Sequence, residues 1–215
     1  MKISRLISQR GKVNVFFDNG ENALLRYDTV LKFGLKKNDE ITGEKFAGMV
    51  DEDFRLQIKE LSFKFLSRRM HSAAELKRKL ILKKLPLSRI DEVISELIDK
   101  KYIDDKIFAE KYCEEKFKNN KTGLIKLKAE LIQKGVDTKI AGLVLAKYEN
   151  GSSILENALI LARKKLESIQ YSKAEEHKKK EKLFRFLTSK GYSREIIIKT
   201  LRRLNLKEDT DVQFD

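Results

Sequence analysis

One short string occurs twice in register and limits the folds open to this chain. Lys134-Gly135-Val136-Asp137-Thr138-Lys139-Ile140 and Lys190-Gly191-Tyr192-Ser193-Arg194-Glu195-Ile196 each read as a helix end, a glycine corner, a capping side chain and a new helix. Ahead of them stand Leu127 and Leu131, or Leu183 and Leu187, four residues apart and therefore on one helix face. Leu76 and Leu80, followed by Ile90, make a third copy, in which the second spacing is 10 instead of 9 and the extra residue falls beside Pro86. Successive copies begin 51 and 56 residues apart. That period exceeds the usual two-helix repeats and fits three helices per unit.

The first copy opens on Arg68-Arg69-Met70-His71-Ser72, and Ser72 with Glu75 reads as a capping box. Upstream, Phe54, Ile58, Leu61 and Phe65 predict a long first helix from Asp51. Downstream, Ser88 is expected to start a helix with the stripe Ile90, Val93, Ile94, Leu97 and Ile98. The second copy has Phe108, Ala109, Tyr112 and Cys113 on its first helix. Thr122 or Gly123 opens the next, and Asp137 caps a third with Ile140, Leu143, Val144 and Tyr148 inward. The third copy starts with a possible capping box, Ser153 with Glu156, and a face of Leu155, Leu159, Ala162, Leu166 and Ile169. Its last helix is capped by Ser193 and carries Ile197, Thr200, Leu201 and Leu204.

The first fifty residues differ. Val13–Phe17 and Ala23–Tyr27 flank Asp18-Asn19-Gly20-Glu21, a hairpin signal because both central residues tolerate positive φ, and Ile3–Ser8 adds a third strand. Asp28 or Thr29 is expected to cap a short helix ending near Gly34, and Thr42 to open another small one over Phe46, Ala47, Met49 and Val50. The expected class is therefore mainly α. Three tandem three-helix repeats (51–103, 104–149 and 150–205) form an elongated, curved helical array, preceded by a small β-hairpin-containing α+β module (1–50) and followed by a disordered acidic tail (206–215).

Charge narrows the function. The 215 residues carry a formal net +14. The first fifty hold nine Lys/Arg against six Asp/Glu and the last ten hold one against four, so residues 51–205 account for the whole excess. A polyanion or an acidic protein surface is the expected partner. Second helices of the repeats concentrate the cations: Arg68, Arg69, Lys77, Arg78, Lys79, Lys83 and Lys84, then Lys126, Lys128 and Lys134, then Lys178, Lys179, Lys180, Lys182 and Arg185, with Arg202 and Arg203 at the end. Stacked repeats would turn these into a discontinuous positive stripe able to follow a phosphate backbone.

Enzyme chemistry finds little support. His71 and His177, the only histidines, have no second ligand at metal spacing, and Asp104-Asp105 reads as a helix cap beside a turn. No Gly-rich phosphate loop occurs. The single Cys113 lies in an apolar-periodic stretch and reads as a buried small hydrophobe, in a chain suited to a reducing cytoplasm. No apolar run approaches the length of a membrane span and Arg5 and Arg10 interrupt any signal-peptide apolar region at the N-terminus, so no membrane partner is expected.

Leu66-Ser67-Arg68-Arg69-Met70-His71-Ser72, Glu75-Leu76 with Lys79-Leu80, Tyr102-Ile103-Asp104-Asp105-x-x-Phe108-Ala109, Gly123 and Glu130-Leu131-x-x-Lys134-Gly135-Val136 occur in this order. In order and spacing they resemble the RecX family of bacterial regulators, over roughly residues 54–204, and the hairpin module is similar to the N-terminal extension of longer members. The chain departs from the pattern at Pro86, where a glycine-type corner is expected, and at Met70-His71 before the capping serine. The resemblance implies a non-catalytic, cofactor-free monomer that binds RecA and the RecA–single-stranded DNA filament. It also implies that the chain restrains RecA ATPase and recombinase activity, and with them the SOS response. Two alternatives stay open: a helix–turn–helix protein contacting DNA without RecA, and a helical scaffold for another protein.

Overall fold

The computed structural model describes residues 1–119, 122–149, 152–170 and 176–205; the expected acidic tail lies outside them. Two compact units emerge. One holds Met1–His71 and Glu75–Ile103, the other Ser72–Ala74 and the residues from Asp104 onward.

The first unit begins with a three-stranded antiparallel sheet in the order β1 (Ile3–Gln9), β2 (Lys12–Phe17), β3 (Asn22–Arg26). Its inner face, with Ile3, Val13, Val15, Phe17 and Leu25, packs on Val30, Leu35, Ile41 and Met49. The tight two-residue turn is not where expected. Arg10 (φ +50) and Gly11 (φ +78) form it between β1 and β2, with both central residues left-handed as a primed turn requires. At Asn19-Gly20 only Gly20 is left-handed, and Phe17 N–H donates to the Glu21 carbonyl at 3.0 Å across a three-residue loop. Asn19 instead accepts from Glu21 N–H at 3.1 Å.

Helix α1 (Tyr27–Lys32) is not capped by Asp28 or Thr29: its N-cap is Arg26, without a side-chain bond. Thr29 is buried and its hydroxyl donates to the Asp53 carboxylate at 2.8 Å. The small helix after Thr42 and the long helix from Asp51 are one element, α2 (Gly43–Leu66), capped by Thr42, whose hydroxyl accepts from Lys45 N–H. The acidic run at its centre does not break it because every carboxylate is paired. Asp51 meets Arg89, Glu52 meets Lys32 at 2.7 Å, and Asp53 meets Arg26 at 2.9 Å. Helix α3 (Ala73–Ile81) and α4 (Leu87–Asp99) complete the unit. Ser88 does not start α4: Pro86 is its N-cap, and proline suits a first turn whose N–H groups are free in any case. Ile98 is 39% exposed and lies outside the α4 stripe.

The second unit carries α5 (Asp105–Lys118), α6 (Leu124–Gln133), α7 (Thr138–Glu149), α8 (Ser152–Gln170), α9 (Glu176–Ser189) and α10 (Arg194–Arg203) around one core. Asp104 caps α5 through Lys106 and Ile107 N–H, and Asp137 and Ser193 accept from the first turns of α7 and α10 as expected. Ser153 stands inside the first turn of α8 and so is not its cap. Leu143 is 69% exposed and does not join the core. Cys113 is buried, and desolvation pushes its thiol up to about 11, which leaves it protonated and inert.

Burial also corrects the repeat register. The fully buried positions are Leu76, Leu80 and Ile90, then Leu127, Leu131 and Ala141, then Leu183, Leu187 and Ile197, spaced 4 and 10 in every copy. Ile140 and Ile196, the anchors expected from pattern alone, are only half-buried. No extra residue falls at Pro86. It occupies the cap position of Asp137 and Ser193, and each of the three accepts a backbone bond near 3.0 Å from the residue four on. The left-handed corner lies two residues earlier, at Gly135 (φ +85), Gly191 (φ +82) and, in the first copy, Lys84 (φ +58).

A lysine held in that conformation is strained where its two counterparts are not. Lys84→Gly should therefore raise the unfolding free energy by about 0.5–1 kcal/mol, the relief being partly offset by glycine's freedom in the unfolded chain. Gly191→Ala should lower it by at least about 2 kcal/mol, because an added Cβ would also stand 2.3 Å from the Lys126 Cβ. Urea unfolding of the two variants, at constant slope, measures both.

Candidate polyanion-binding face

Most of the cations singled out by sequence stand at or near the surface, but several are already engaged. Arg69 grips Glu75 with two nitrogens at 2.9 and 2.7 Å and donates to the Met70 carbonyl at 2.8 Å. Lys77 pairs with Asp91 at 2.5 Å, Arg185 with Glu181 at 2.5 Å and Arg203 with Glu156 at 3.0 Å. Lys134 lies 5.1 Å above the Tyr112 ring.

Lys79 is held most specifically. Its ammonium donates to His71 Nε2 at 2.8 Å and sits 5.1 Å over the Phe65 ring. Because Nε2 accepts, the proton is on Nδ1, which donates to the Arg69 carbonyl at 2.9 Å; the imidazole is neutral. His71 is 3% exposed, and burial together with the Arg69 and Lys79 cations holds it below the ordinary imidazole range.

A different set has no carboxylate within ion-pair distance among the described residues. In the first unit it comprises Arg68, Lys83 and Lys84, all exposed; in the second it comprises Lys126, Lys128, Lys178, Lys179 and Lys182. Arg78 and Arg202 are exposed and Lys180 is half-buried. Helix α6 shows the clearest face. Leu127 and Leu131 point inward, while Ile125 (61% exposed), Lys126, Lys128 and Ile132 face solvent. Its one acid, Glu130, is half-buried and taken by the Tyr112 hydroxyl at 2.6 Å and Lys116 at 3.7 Å. The solvent face of α6 thus carries cations and apolar groups without a counter-charge.

Elsewhere acids cancel the excess. Glu96 alone gathers Arg55 at 2.8 Å, Lys59 at 2.7 Å and Lys100 at 2.7 Å, and hydrogen bonds from Lys100 and Lys59 pull its carboxyl down to about 2. Sequence reasoning omitted Lys190 from the candidates. It occupies the position of Lys83 and Lys134, just before the left-handed residue, and lies 5.4 Å over the Phe186 ring as Lys134 does over Tyr112. The repeated Lys-Gly string carried that signal.

Asp104 and Asp105 do not form a catalytic pair, since Asp104 caps α5 and Asp105 accepts from Ala73 N–H at 2.8 Å. Among the described residues no His/Cys/Asp/Glu group is arranged to hold a metal, and no helix is long and apolar enough to cross a membrane.

Three successive three-helix domains with cationic second helices define the class. Family models describing the first, second and third three-helix domains of RecX match residues 59–97, 104–145 and 153–201. A curated relative named regulatory protein RecX, from Clostridium botulinum (strain Eklund 17B / Type B), is 32% identical over 199 residues, covering 91% of this chain and 92% of that one. A crystal structure described as regulatory protein RecX aligns with TM-score 0.74 at 22% identity, over 94% of this chain and 98% of that one. Another, of RecX from Lactobacillus salivarius, aligns with TM-score 0.65 at 28% identity, over 73% and 99%. The chain belongs to the RecX family, a family of regulatory proteins.

Two outcomes test the sorting of cations. Arg69→Ala should cost about 0.5–1 kcal/mol through loss of the Glu75 pair, whereas Arg68→Ala should leave thermal unfolding unchanged. Secondly, a neutral His71 favours the fold above pH 6.5, and that contribution is lost as pH falls through the lowered folded-state value. NMR titration should show the His71 ring protonating below 6.5, and His71→Asn should flatten the acid side of the stability profile; a His71 value at or above 6.5 contradicts the geometry.

Proposed function

We propose that this protein binds RecA assembled on single-stranded DNA and restrains the filament's ATP hydrolysis and strand exchange. Membership of a regulatory family supports the reading, and the solvent face of α6 carries it. Lys126 and Lys128 stand there without a neutralising carboxylate among the described residues, beside exposed Ile125 and Ile132. Unpaired cations next to apolar groups suit a partner that offers both negative charge and a protein surface, as a nucleoprotein filament does. Cations spread over a helix face, rather than placed to read base edges, fit backbone or acidic-groove contact without sequence preference.

RecA-dependent ATP hydrolysis on single-stranded DNA, measured while this protein is titrated in, tests the reading. Inhibition should set in at or below one protein per RecA and persist with free DNA in excess. Lys126→Glu with Lys128→Glu should raise the inhibitory concentration about tenfold and flatten its salt dependence, since each lost phosphate contact removes close to one unit of salt slope. Inhibition that extra DNA abolishes would instead favour a plain nucleic-acid binder of helix–turn–helix type.

A further inference from the structure

The outer face of the N-terminal sheet has a composition that neither the helical domains nor their family models explain. Strand register places three rows across it: Arg5, Phe16 and Asn22; Ile7, Asn14 and Leu24; Gln9, Lys12 and Arg26. Helices α1 and α2 pack on the opposite face, where Val13, Val15, Phe17 and Leu25 meet Val30 and Met49. Ile7 is 42% and Leu24 57% exposed, although apolar side chains at these positions would normally be polar in a sheet with one wet face.

None of the nine positions is acidic, and no acidic residue occurs before Asp18. Arg26 is committed to Asp53 and Glu60. Arg5 and Lys12 have no carboxylate within ion-pair distance among the described residues, and neither does Arg10 in the adjoining turn. Arg5 instead rests with its guanidinium carbon 4.5 Å over the Phe16 ring. An aromatic ring is thus covered by a cation that has no other partner among the described residues.

We propose that this face is a stacking platform for the bases of single-stranded nucleic acid. Bases stack on aromatic rings and on arginine planes, and three- or four-stranded sheets use such faces to take two or three bases. Phe16 and Arg5 supply the stacking pair, Ile7 and Leu24 the apolar flanks, and the exposed Gln9 and Asn22 amides for base edges. Lys12 and Arg10 lie at one end for the phosphates. The face measures roughly 13 Å along the strands and about 10 Å across, the size for that number of bases. A duplex is a poor fit because its base faces are hidden in the stack. An acidic peptide would use the cations but leave the ring and the amides without a role.

The test uses the full chain without RecA, so it does not depend on the filament reading. Fluorescence anisotropy of an end-labelled oligothymidylate is compared with that of an abasic oligomer of the same length. Phe16→Leu, which keeps the sheet covered, and Arg5→Gln should each weaken oligothymidylate binding about tenfold, as loss of one stacked base implies. Phe16→Leu should leave the already weak abasic binding unchanged, with thermal unfolding of both variants like that of the parent. Parental affinity in both variants would overturn the proposal, as would equal loss of the two oligomers in Phe16→Leu. Parental DNA affinity combined with weaker binding to the RecA filament would overturn it in favour of an acidic protein surface.

Discussion

In the second unit, one helix end is set directly against another helix's corner. Helix α6 has no side-chain cap, yet its first N–H groups are not orphaned. Gly123 N–H donates to the Lys190 carbonyl at 2.7 Å and Ile125 N–H to the Gly191 carbonyl at 3.1 Å. The free donors of one helix thus satisfy the free acceptors of another, and their partial charges oppose. Such a junction needs backbone against backbone. A Cβ on Gly123 would stand 2.3 Å from the Gly191 carbonyl carbon. Fifty-one residues earlier, Ser72 uses its hydroxyl at the equivalent place, donating to the Lys134 carbonyl at 2.5 Å within the same unit. The corner carbonyl before the left-handed residue is an acceptor in both.

This junction explains why the glycine corners were the strongest signal in the sequence. Gly135 and Gly191 are both needed for positive φ, and Gly191 also for close approach to α6. Periodicity alone did less well. It selected Ile140 because isoleucine is more conspicuous than alanine, although Ala141 carries the buried position, and it selected Ile196 in step with it, although the neighbouring Ile197 is the buried one. It placed Leu143 inside because hydrophobicity does not say which side of a helix meets a neighbour. The helix after Thr42 and the one from Asp51 read as separate, whereas Asp51-Glu52-Asp53 lies inside α2 and pairs with Arg89, Lys32 and Arg26, which are far away in sequence. Tertiary pairing overrides propensity in that stretch, and no local rule contains it.

Net charge was informative about class and misleading about place. The excess of 47 Lys/Arg over 33 Asp/Glu falls in residues 51–205 and, by sequence, on the second helices. The structure spends its acids unevenly: Glu96 satisfies three cations at once, Glu75 takes both prongs of Arg69, and Glu130 turns inward to Tyr112. What remains positive is therefore local. Seventeen candidate cations could be read from the sequence, but not the division between those already paired and those facing solvent alone, which depends on contacts across tens of residues.

Position within a helix also separates the cations by role. Lys83, Lys134 and Lys190 each fall in the last turn before a left-handed residue, where the carbonyl end of a helix favours positive charge whatever the protein binds. Two of them also cover aromatic rings, Tyr112 and Phe186, at 5.1 and 5.4 Å. Their recurrence has a folding explanation. Lys126 and Lys128 have none of that kind. They lie in the first half of α6, and among the described residues neither side chain bonds a carbonyl or covers a ring. Charge kept where the fold gains nothing from it is better evidence for a ligand than charge kept where the fold needs it. By that criterion the middle of the second domain, rather than the more densely basic corner around Arg68 and Arg69, is where binding is expected to concentrate.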